Sequence, residues 1–446
     1  MEYREFLKRA AHVVPSRRQM RWYDTEFYAF VHFTVNTYTD LEWGLGDEPE
    51  SIFNPTELDC DGWVEAIKSA GMKGLVLTAK HHDGFCLWPT KTTEHCVRNS
   101  PFKGGKGDVV RECAEACKRG GIQFGVYLSP WDRNSEYYGT EAYNDFYCEQ
   151  LTELLTGYGE LFMVWFDGAC GEGPNGKKQV YDFPRYIELI RKYQPNACIF
   201  NDHGPDVRWI GNEAGKPRRA EWAIVPTDLC YRCEPQTGAG PLTGDLSYLY
   251  NPEECIGDLS VIQYAKSLAF CGAEVDMSIR PGWFYHEREQ AHSLERLFRT
   301  YLDSCGANAC FHLNIPPMPN GKFHENDVLR LKELGEALRT AFGEDQIVSF
   351  EAQALPVESD TQCKIRLTLP QKTKLAYIKL RENIEQGQRI ESFRILANGK
   401  TVYRGYTVGH NKICPVNVET DSVEIFVTSA RDTVDFRDIT VYQANI

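Results

Sequence analysis

The sequence of 446 residues has no long hydrophobic run. Its longest uncharged apolar stretches, such as residues 161–166, span about six residues, whereas a helix needs about 20 apolar residues to cross a bilayer. It also lacks an excess of basic side chains, because 49 lysines and arginines face 63 aspartates and glutamates, for a net charge of −14. Such a charge repels nucleic-acid phosphates and anionic lipid surfaces. We therefore expect neither a membrane span nor a nucleic-acid partner.

The N-terminus lacks the pattern of a secretory signal. Residues 1–6 are acidic and polar, where a signal has basic residues followed by an apolar stretch, so we expect a cytoplasmic protein. The 16 cysteines, from Cys60 to Cys414, lack the dense spacing of a disulfide-rich scaffold and are interpreted as reduced thiols. Cys230 and Cys233 have the spacing of a zinc pair, but no second CxxC and no nearby histidine pair completes four ligands. A metal at this pair is therefore not the favoured interpretation.

Tryptophan is missing from the last part of the chain, since all nine indoles lie before residue 284. The overall composition, with 42% hydrophobic and 25% charged residues, is that of a folded globular protein. The length accommodates two or three domains, or one large barrel with an appendage. The uneven use of tryptophan indicates that a feature of the first three quarters of the chain favours indole rings.

The first 340 residues alternate short β-branched or aromatic runs with amphipathic helical patterns, which is typical of βα units around a parallel sheet. About eight runs can be counted, and eight favours a (β/α)8 or TIM barrel over an open doubly wound sheet. The segment 203–273, which contains the sixth run, is loop-rich and poorly periodic. The predicted strands are residues 28–33, 74–79, 122–128, 161–167, 197–201, 222–225, 274–279 and 310–315.

From Gly343 onward, strands follow one another without helices between them, so the predicted fold class is α/β with an all-β C-terminal sandwich. The predicted domains are a catalytic barrel over residues 1–342 and a β-sandwich over residues 343–446. Asn398 and Gly399 have the sequence of a tight hairpin turn. The sandwich is either a carbohydrate-binding module or a structural buttress, and its lack of tryptophan favours the buttress.

In a (β/α)8 barrel the chemistry collects at the C-terminal ends of the strands. Each polar residue there, taken alone, has an ordinary explanation, since a single histidine near a core strand is usually hydrogen-bonded packing and most acidic side chains are solvated. Their joint placement on one rim favours a functional site. The candidates are His32, His81, His82, Asp83, Tyr127, Trp131, Asp167, Arg208, Trp209, Glu213, Arg280, Trp283 and Asn314.

Asp167 is the most informative candidate because the run 161–166 before it has the pattern of a strand buried on both faces. An unpaired buried carboxylate is costly, so Asp167 either accepts hydrogen bonds from the loop at Gly168, pairs with an arginine, or acts chemically. Glu213, in a loop flanked by glycines, is able to approach it as a second carboxylate. Paired carboxylates with tryptophan platforms indicate sugar chemistry, because aromatic faces cover the apolar faces of a pyranose. The alternative is a metal-dependent barrel hydrolase that uses the rim histidines and Asp167 as ligands.

Five long, ordered segments form a specific combination: FYAFVHF at residues 27–33, EWG at 42–44, LTAKHHDGF at 77–85, GVYLSPW at 125–131 and VWFDG at 164–168. Together they resemble the α-L-fucosidases of glycoside hydrolase family 29. The resemblance covers the whole chain, including the C-terminal sandwich. It implies a (β/α)8-like barrel, irregular in several members of the family, followed by that sandwich.

Carried over by position, the resemblance implies that Asp167 is the nucleophile of a retaining reaction through a covalent fucosyl-enzyme. Residues 206–213 and 278–283 resemble the branch that cleaves α-1,3/1,4-linked fucose from branched, Lewis-type glycans, which implies Glu213 as the acid/base. The predicted function is thus a retaining exo-α-L-fucosidase that acts on fucosylated oligosaccharides or glycoconjugates, with no metal and no cofactor. The implied substrate-binding residues are His32, Glu42, Trp43, His81, His82, Tyr127, Arg280 and Trp283.

Two other functions remain as alternatives. A metal-dependent TIM-barrel hydrolase would use the same rim, and a catalytically silent fucose-binding protein would bind the sugar without cleaving it. Many secreted members of the family begin with a signal peptide, so a cytoplasmic protein would need substrate that is imported or released inside. The sequence leaves the oligomeric state open.

Overall fold

The computed structural model describes residues 3–242, 244–246 and 254–444. The strands are β1 (Phe27–Val31), β2 (Gly74–Lys80), β3 (Gln123–Leu128), β4 (Met163–Trp165), β5 (Cys198–Phe200), β6 (Val207–Trp209), β7 (Ile224–Pro226), β8 (Leu268–Phe270), β9 (Gly272–Ser278), β10 (Ala309–Asn314), β11 (Glu351–Leu355), β12 (Cys363–Glu382), β13 (Ile390–Ala397), β14 (Lys400–Gly405), β15 (Lys412–Ala430) and β16 (Phe436–Gln443). The helices are α1 (Tyr3–Ala11), α2 (Arg17–Thr25), α3 (Asn36–Thr39), α4 (Cys60–Ser69), α5 (Val109–Gly120), α6 (Ala142–Gly157), α7 (Phe183–Tyr193), α8 (Leu259–Ile262), α9 (Leu294–Ser304) and α10 (Glu325–Phe342).

Eight of the strands close into a parallel barrel in the order β1-β2-β3-β4-β5-β6-β9-β10. Every residue of β1, β2, β4, β5, β9 and β10 is buried, because one face fills the barrel and the other packs against the surrounding helices. The predicted TIM-like barrel is confirmed. Since parallel strands point their C-terminal ends to one side, the residues that follow them share a rim.

The sixth barrel strand differs from the prediction. The sequence pattern predicts residues 222–225, whereas the barrel uses β6, which pairs with β9. The predicted run overlaps β7 instead, and β7 pairs antiparallel with β8 outside the barrel. Arg208 is the physical reason: a charged residue at the centre of a three-residue strand gives no hydrophobic pattern, and its burial depends on a partner, Glu221, that lies outside the strand.

Local capping signals explain the helix boundaries. At the start of α5 the Asp108 carboxylate accepts a hydrogen bond from the Arg111 N–H (2.8 Å), and Gly121 ends the helix in the left-handed conformation, with φ of 70°. Apolar residues of α5, among them Val110 and Cys117, are buried in the barrel core. In the described part of the chain, no helix combines the length and the apolar character that crossing a membrane requires.

The region after α10 is all-β, as predicted from the change in sequence at Gly343. Its strands form one six-stranded antiparallel sheet in which β12 and β15 are long; β11 pairs with the first part of β12, and β16 pairs with its second part. Asn398 and Gly399, with φ of 51° and 73°, form the predicted turn between β13 and β14. The division into domains at residues 342 and 343 stays a prediction.

The C-terminal sheet contacts the barrel at the end opposite the polar rim. The segment before β15 reaches the N-terminal ends of β1 and β10: the His410 N–H donates to Asn308 Oδ1 (2.7 Å), and Asn411 Nδ2 donates to Glu26 Oε1 (2.7 Å). The His410 ring also stacks on Tyr23, with 4.8 Å between centroids. These contacts agree with the interpretation of the sheet as a buttress, which stays a prediction.

Candidate active site

Five predicted site residues meet at the C-terminal ends of β1 to β4. His32 follows β1 directly, His81 and His82 follow β2, Tyr127 lies in β3, and Asp167 is two residues beyond β4. The ring centroids of His81 and His82 are 4.0 Å apart, and those of His81 and Tyr127 are 5.7 Å apart. His32 lies 5.5 Å from His81. The four buried rings therefore form a continuous wall beside the Asp167 carboxylate.

Both oxygens of Asp167 are held by donors. The Tyr127 hydroxyl donates to Oδ2 (3.0 Å), and the backbone N–H of Ala169 donates to Oδ1 (2.7 Å). Nε2 of His82 lies 3.8 Å from Oδ2, and the Asp167 side chain is 25% exposed. The carboxylate is thus fixed in orientation while it remains open to the rim.

His32 is a neutral imidazole of defined tautomer. Its Nδ1 lies 2.9 Å from Asn314 Oδ1, and the Asn314 amide is oriented by two donations from its Nδ2, to Ser278 Oγ (2.9 Å) and to the Trp283 carbonyl (2.8 Å). Nδ1 therefore carries the proton and Nε2 is left as an acceptor. Burial lowers the pKa of His32 from 6.5 to about 3, against the opposite effect of the hydrogen bond to Asn314.

The two histidines after β2 have also lost their charge. Ser129 Oγ donates to the Trp131 carbonyl (2.7 Å), so it accepts a hydrogen bond from Nδ1 of His82 (2.7 Å). Burial lowers the pKa of His82, against the raising effect of Asp167, and burial lowers the pKa of His81 even further. Among the described residues, Nδ1 of His81 has no hydrogen-bond partner. The wall therefore offers neutral imidazoles with unused nitrogen atoms, which suits the hydroxyls of an uncharged ligand.

Glu213 lies in the loop after β6 and is brought to the same site. The loop is shaped by Asn212, whose Oδ1 accepts hydrogen bonds from the N–H groups of Ala214 (3.1 Å) and Lys216 (3.2 Å). Although the residue is exposed overall, its carboxyl is shielded enough for burial to raise its pKa. A hydrogen bond with Trp283 opposes this effect, and the nearby charges of Asp167 and Glu42 add to it. The structure thus places the two predicted catalytic carboxyl groups within electrostatic reach of each other.

Tryptophan side chains border the site on two sides. Trp43 is 58% exposed and meets Trp131 edge-on, with 5.6 Å between centroids, and His82 at 6.0 Å. On the other side, half-buried Trp283 lies 5.1 Å from His32. The positions of Trp43 beside His82 and of Trp283 beside His32 agree with a platform for a sugar ring, which stays a prediction.

The Glu42 carboxylate is already engaged by protein donors. It accepts hydrogen bonds from the backbone N–H groups of Trp283 (2.8 Å) and Phe284 (3.2 Å), and Nε2 of His286 lies 2.6 Å from it. Nδ1 of His286 contacts Asp40 on the other side. Glu42 and His286 therefore link the loop that bears Trp43 to the loop that bears Trp283 by hydrogen bonds. A direct contact of Glu42 with substrate stays a prediction.

The Arg280 guanidinium is engaged by protein partners. It is 1% exposed; its Nε donates to Asp327 Oδ2 (2.7 Å) and its Nη1 donates to the Glu289 carbonyl (2.5 Å). These bonds hold the loop that follows β9, which carries Trp283. The structure thus gives Arg280 a positioning role, and its predicted contact with substrate stays untested.

Sequence reasoning missed Asp202, which lies two residues beyond β5 and directly after the predicted strand 197–201. Burial, and after it the charge of Asp167, raise the pKa of Asp202 to about 6. A Cβ at Gly168 would lie 1.9 Å from Asp202 Oδ2, so only glycine allows this close approach. The strand-end criterion that selected Asp167 applies equally to Asp202 and would have found it. His286 was also missed, and no local pattern marks it because its partners are more than 200 residues away.

Within residues 3–242, 244–246 and 254–444, no group of three or more histidine, cysteine, aspartate or glutamate side chains is arranged to hold a metal ion.

Comparisons with known proteins give the family. A sequence model described as α-L-fucosidase matches residues 8–224 and 263–343. Alpha-L-fucosidase 1 of Arabidopsis thaliana is 39% identical over 94% of this chain and 85% of its own length.

Solved structures agree over nearly the full length. A glycoside hydrolase 29 family member from a rumen bacterium is 36% identical, with a TM-score of 0.84 over 98% of this chain and 78% of its own. A Ruminococcus gnavus GH29 fucosidase, solved in complex with fucose, is 26% identical, with a TM-score of 0.82 over 97% of this chain and 95% of its own. The chain belongs to the α-L-fucosidases of glycoside hydrolase family 29 and is a glycoside hydrolase of that type.

Proposed function

We propose that the protein is a retaining exo-α-L-fucosidase that removes terminal α-1,3- or α-1,4-linked fucose from branched, Lewis-type oligosaccharides or glycoconjugates. The observation that carries this proposal is the pairing of two unlike carboxyl groups. Asp167 accepts hydrogen bonds on both oxygens, whereas Glu213, nearby, has a raised pKa. A nucleophilic carboxylate beside a proton-holding carboxylic acid is what a retaining glycosidase requires.

The proposed reaction has two displacement steps. In the first, the Asp167 carboxylate attacks the anomeric carbon of fucose while Glu213 protonates the departing glycosidic oxygen. In the second, the Glu213 carboxylate takes a proton from water, and this water displaces Asp167 from the sugar. Two inversions leave the anomeric configuration unchanged, and in such enzymes the two carboxyl groups stand about 5 to 5.5 Å apart. The steps need no cofactor.

The neutral histidine wall supports recognition of fucose hydroxyls. Because Nδ1 of His32 donates to Asn314, its Nε2 accepts a hydrogen bond from a hydroxyl group. His82 is in the same state, since its Nδ1 donates to Ser129. An uncharged imidazole binds a neutral sugar without the cost of burying a cation. The Trp283 ring lies 5.1 Å from His32, which supports its proposed role of covering an apolar face of the pyranose.

The linkage preference is the finer part of the proposal. It is supported by residues 206–213 and 278–283, which resemble the branch that cleaves α-1,3/1,4-linked fucose. The exposed Trp43 side chain beside the site offers contact area to the rest of a branched glycan. A cytoplasmic location, expected from the N-terminal residues, stays a prediction.

A substrate panel tests linkage and stereochemistry together. Hydrolysis of Lewis-type trisaccharides, α-1,2-linked fucosyllactose and a simple aryl fucoside should be compared by kcat/KM. We expect the branched α-1,3/1,4 substrates to be preferred, and NMR should detect α-L-fucose as the first product. A preference for the α-1,2 linkage would overturn the linkage proposal, and β-L-fucose as first product would overturn the retaining mechanism.

A further inference from the structure

Three cysteines that the proposed reaction does not use meet beside the connection between β5 and β6. Cys230, Cys233 and Cys271 are buried, and their thiols lie close enough to shift one another's pKa. A Cβ placed at Gly204 would lie 2.5 Å from Cys233 Sγ and 3.5 Å from Cys271 Sγ, so the backbone packs directly on two of the sulfur atoms. We call Cys230, Cys233 and Cys271 the thiol cluster.

The backbone at the thiol cluster has the geometry of a disulfide-forming pair. The Cys233 N–H donates to the Cys230 carbonyl (3.0 Å), which is the hydrogen bond of a four-residue turn. The first and last Cα atoms of such a turn are less than about 7 Å apart. A disulfide spans Cα separations of about 4.4 to 6.8 Å. Cys230 and Cys233 are therefore able to form a disulfide without a large movement of the chain.

A buried cation lies beside the thiol cluster. Arg208 in β6 is 2% exposed; its Nη2 donates to the Trp222 carbonyl (3.0 Å) and contacts Glu221. Among the described residues, its Nε and Nη1 have no hydrogen-bond partner. Hydrogen bonds from Cys233 and Cys271 and, after them, the Arg208 charge lower the pKa of the Cys230 thiol. The thiolate is the reactive form of cysteine, so Cys230 is the expected nucleophile of the cluster.

The turn that contains the two cysteines is hydrogen-bonded to the strand ends at the active site. Arg232, between the cysteines, donates from Nη1 to Asn201 Oδ1 (2.6 Å), and Asn201 Nδ2 donates to the Phe166 carbonyl (3.2 Å). The Arg232 N–H also donates to the His203 carbonyl (3.2 Å). Phe166 immediately precedes Asp167. A change in the turn is therefore transmitted to Asp167, the proposed nucleophile of the fucosidase reaction, through two successive side-chain hydrogen bonds.

We propose that Cys230 and Cys233 form a peroxide-oxidisable dithiol whose disulfide slows the fucosidase reaction. The Cys230 thiolate attacks one oxygen of hydrogen peroxide; an S–O bond forms, the O–O bond breaks, and the departing hydroxide takes a proton to become water. The Cys233 sulfur then attacks the Cys230 sulfur; an S–S bond forms, the S–O bond breaks, and the hydroxyl leaves as water with the Cys233 proton. Two thiols are oxidised to one disulfide while one peroxide is reduced to two waters.

The chain contains a second thiol trio that serves as an internal control. Cys60, Cys113 and Cys117, on α4 and α5, are buried, and the other two thiols lie close enough to Cys113 to shift its pKa. Here burial and the neighbouring thiols raise the pKa of Cys113. The two trios are alike in burial, but the pKa of Cys230 in the first is lowered whereas the pKa of Cys113 in the second is raised. We therefore expect peroxide to oxidise Cys230 and to leave the helical trio reduced.

Peptide mapping of the full chain tests the disulfide directly. After peroxide treatment and alkylation of the remaining thiols, trypsin cleaves after Arg232 and separates the two cysteines. We expect peptides 220–232 and 233–266 to be joined, with fragment ions that place the link at Cys233 rather than Cys255, and dithiothreitol should release them. Absence of this link, or equally rapid oxidation of Cys113, would overturn the proposal.

Kinetics test the effect of the disulfide, and this second part rests on the proposed function. The oxidised protein should show a fall in kcat of roughly tenfold, restored by dithiothreitol, because small displacements of catalytic groups are costly. Cys230→Ser should keep the untreated activity and lose the response, and Cys233→Ser gives a second test if the first variant folds poorly. Cys113→Ser should respond like the wild type. A disulfide with unchanged kcat would overturn the coupling, whereas a protein without any fucosidase activity would still show the disulfide.

Discussion

The two halves of the barrel rim are built in different ways. The strand half consists of the residues at the C-terminal ends of β1 to β4: His32, His81, His82, Tyr127 and Asp167. The loop half consists of residues on the connecting loops: Glu42, Trp43, Glu213, Trp283 and His286. The strand half is buried except for Asp167, whereas in the loop half Trp43 and Glu213 are exposed.

The histidine pKa values shift in opposite directions in the two halves of the rim. In the strand half, burial lowers the pKa of His32 and His81 and leaves them neutral. In the loop half, burial alone would lower the pKa of His286, but the carboxylates of Asp40 and Glu42 raise it. The strand half is therefore suited to hold a neutral sugar and a fixed carboxylate. In the loop half the pKa values of Glu213 and His286 are raised, which favours their protonated forms. A general acid is therefore expected in the loop half.

The largest expected effect tests the strand half. Asp167→Ala should reduce kcat on an aryl fucoside by several orders of magnitude with an unchanged melting temperature, because the proposed covalent intermediate cannot form. Added azide should then give the fucosyl azide of inverted configuration, since azide replaces the missing carboxylate. Asp202→Asn is the matched control, a neighbouring carboxylate outside the proposed chemistry, and it should have a much smaller effect. Equal losses in the two variants would contradict the assignment of Asp167.

The next effect tests the loop half. Glu213→Ala should lower kcat by about 10²- to 10⁴-fold on a natural glycan, the usual contribution of general acid–base catalysis. The loss should be smaller on an aryl fucoside whose leaving group needs no proton. Azide should restore turnover and give the product of retained configuration, opposite to the result with Asp167→Ala. An unaffected rate, or an inverted azide product, would show that the acid/base lies elsewhere.

A smaller effect tests the hydrogen-bonded link that Glu42 and His286 form between the loops that bear Trp43 and Trp283. His286→Gln should lower kcat/KM by roughly tenfold, mainly through KM, because the loss of its contacts with Asp40 and Glu42 lets Trp43 and Trp283 shift. Arg288→Gln is the control, since Arg288 also pairs with Asp40 but is exposed, and exposed pairs contribute little. A fall in kcat with unchanged KM in His286→Gln would point to a chemical role instead of a positioning role.

The sequence predicts the strand half of the rim better than the loop half, for a physical reason. Asp167 stands out because the apolar run before it marks a buried strand, and the residue at the end of such a strand must face the rim. The sixth strand gave no such signal because Arg208 lies at its centre and its partner Glu221 is 13 residues away. Hydrophobic periodicity does not identify a buried strand when the burial of its central residue depends on a distant charged partner.

Tertiary contacts also engage individual site residues in ways that the sequence does not reveal. The family resemblance implies that Glu42 and Arg280 bind substrate, and this stays a prediction. In the structure, Glu42 accepts a hydrogen bond from the Trp283 backbone, 241 residues away, and Arg280 donates to Asp327, 47 residues away. Which residues line the rim follows from strand ends, but which of them have donors or acceptors left for a ligand depends on tertiary contacts.

The smallest expected effect concerns the pH dependence of stability, which should change when a buried histidine of the strand half is replaced but not when an exposed histidine is replaced. His32 has a pKa of about 3 in the folded protein and 6.5 ordinarily, so between these values the unfolded chain binds a proton that the folded chain does not. Its contribution to stability is therefore complete above pH 6.5, falls as the pH drops below that value, and levels off below about pH 3. His32→Gln should make the decrease in melting temperature between pH 6.5 and pH 4 shallower than in the wild type. His12→Gln, at a site whose side chain is 58% exposed, is the control and should leave the slope unchanged; a wild-type slope in His32→Gln would contradict the neutral state assigned to the wall.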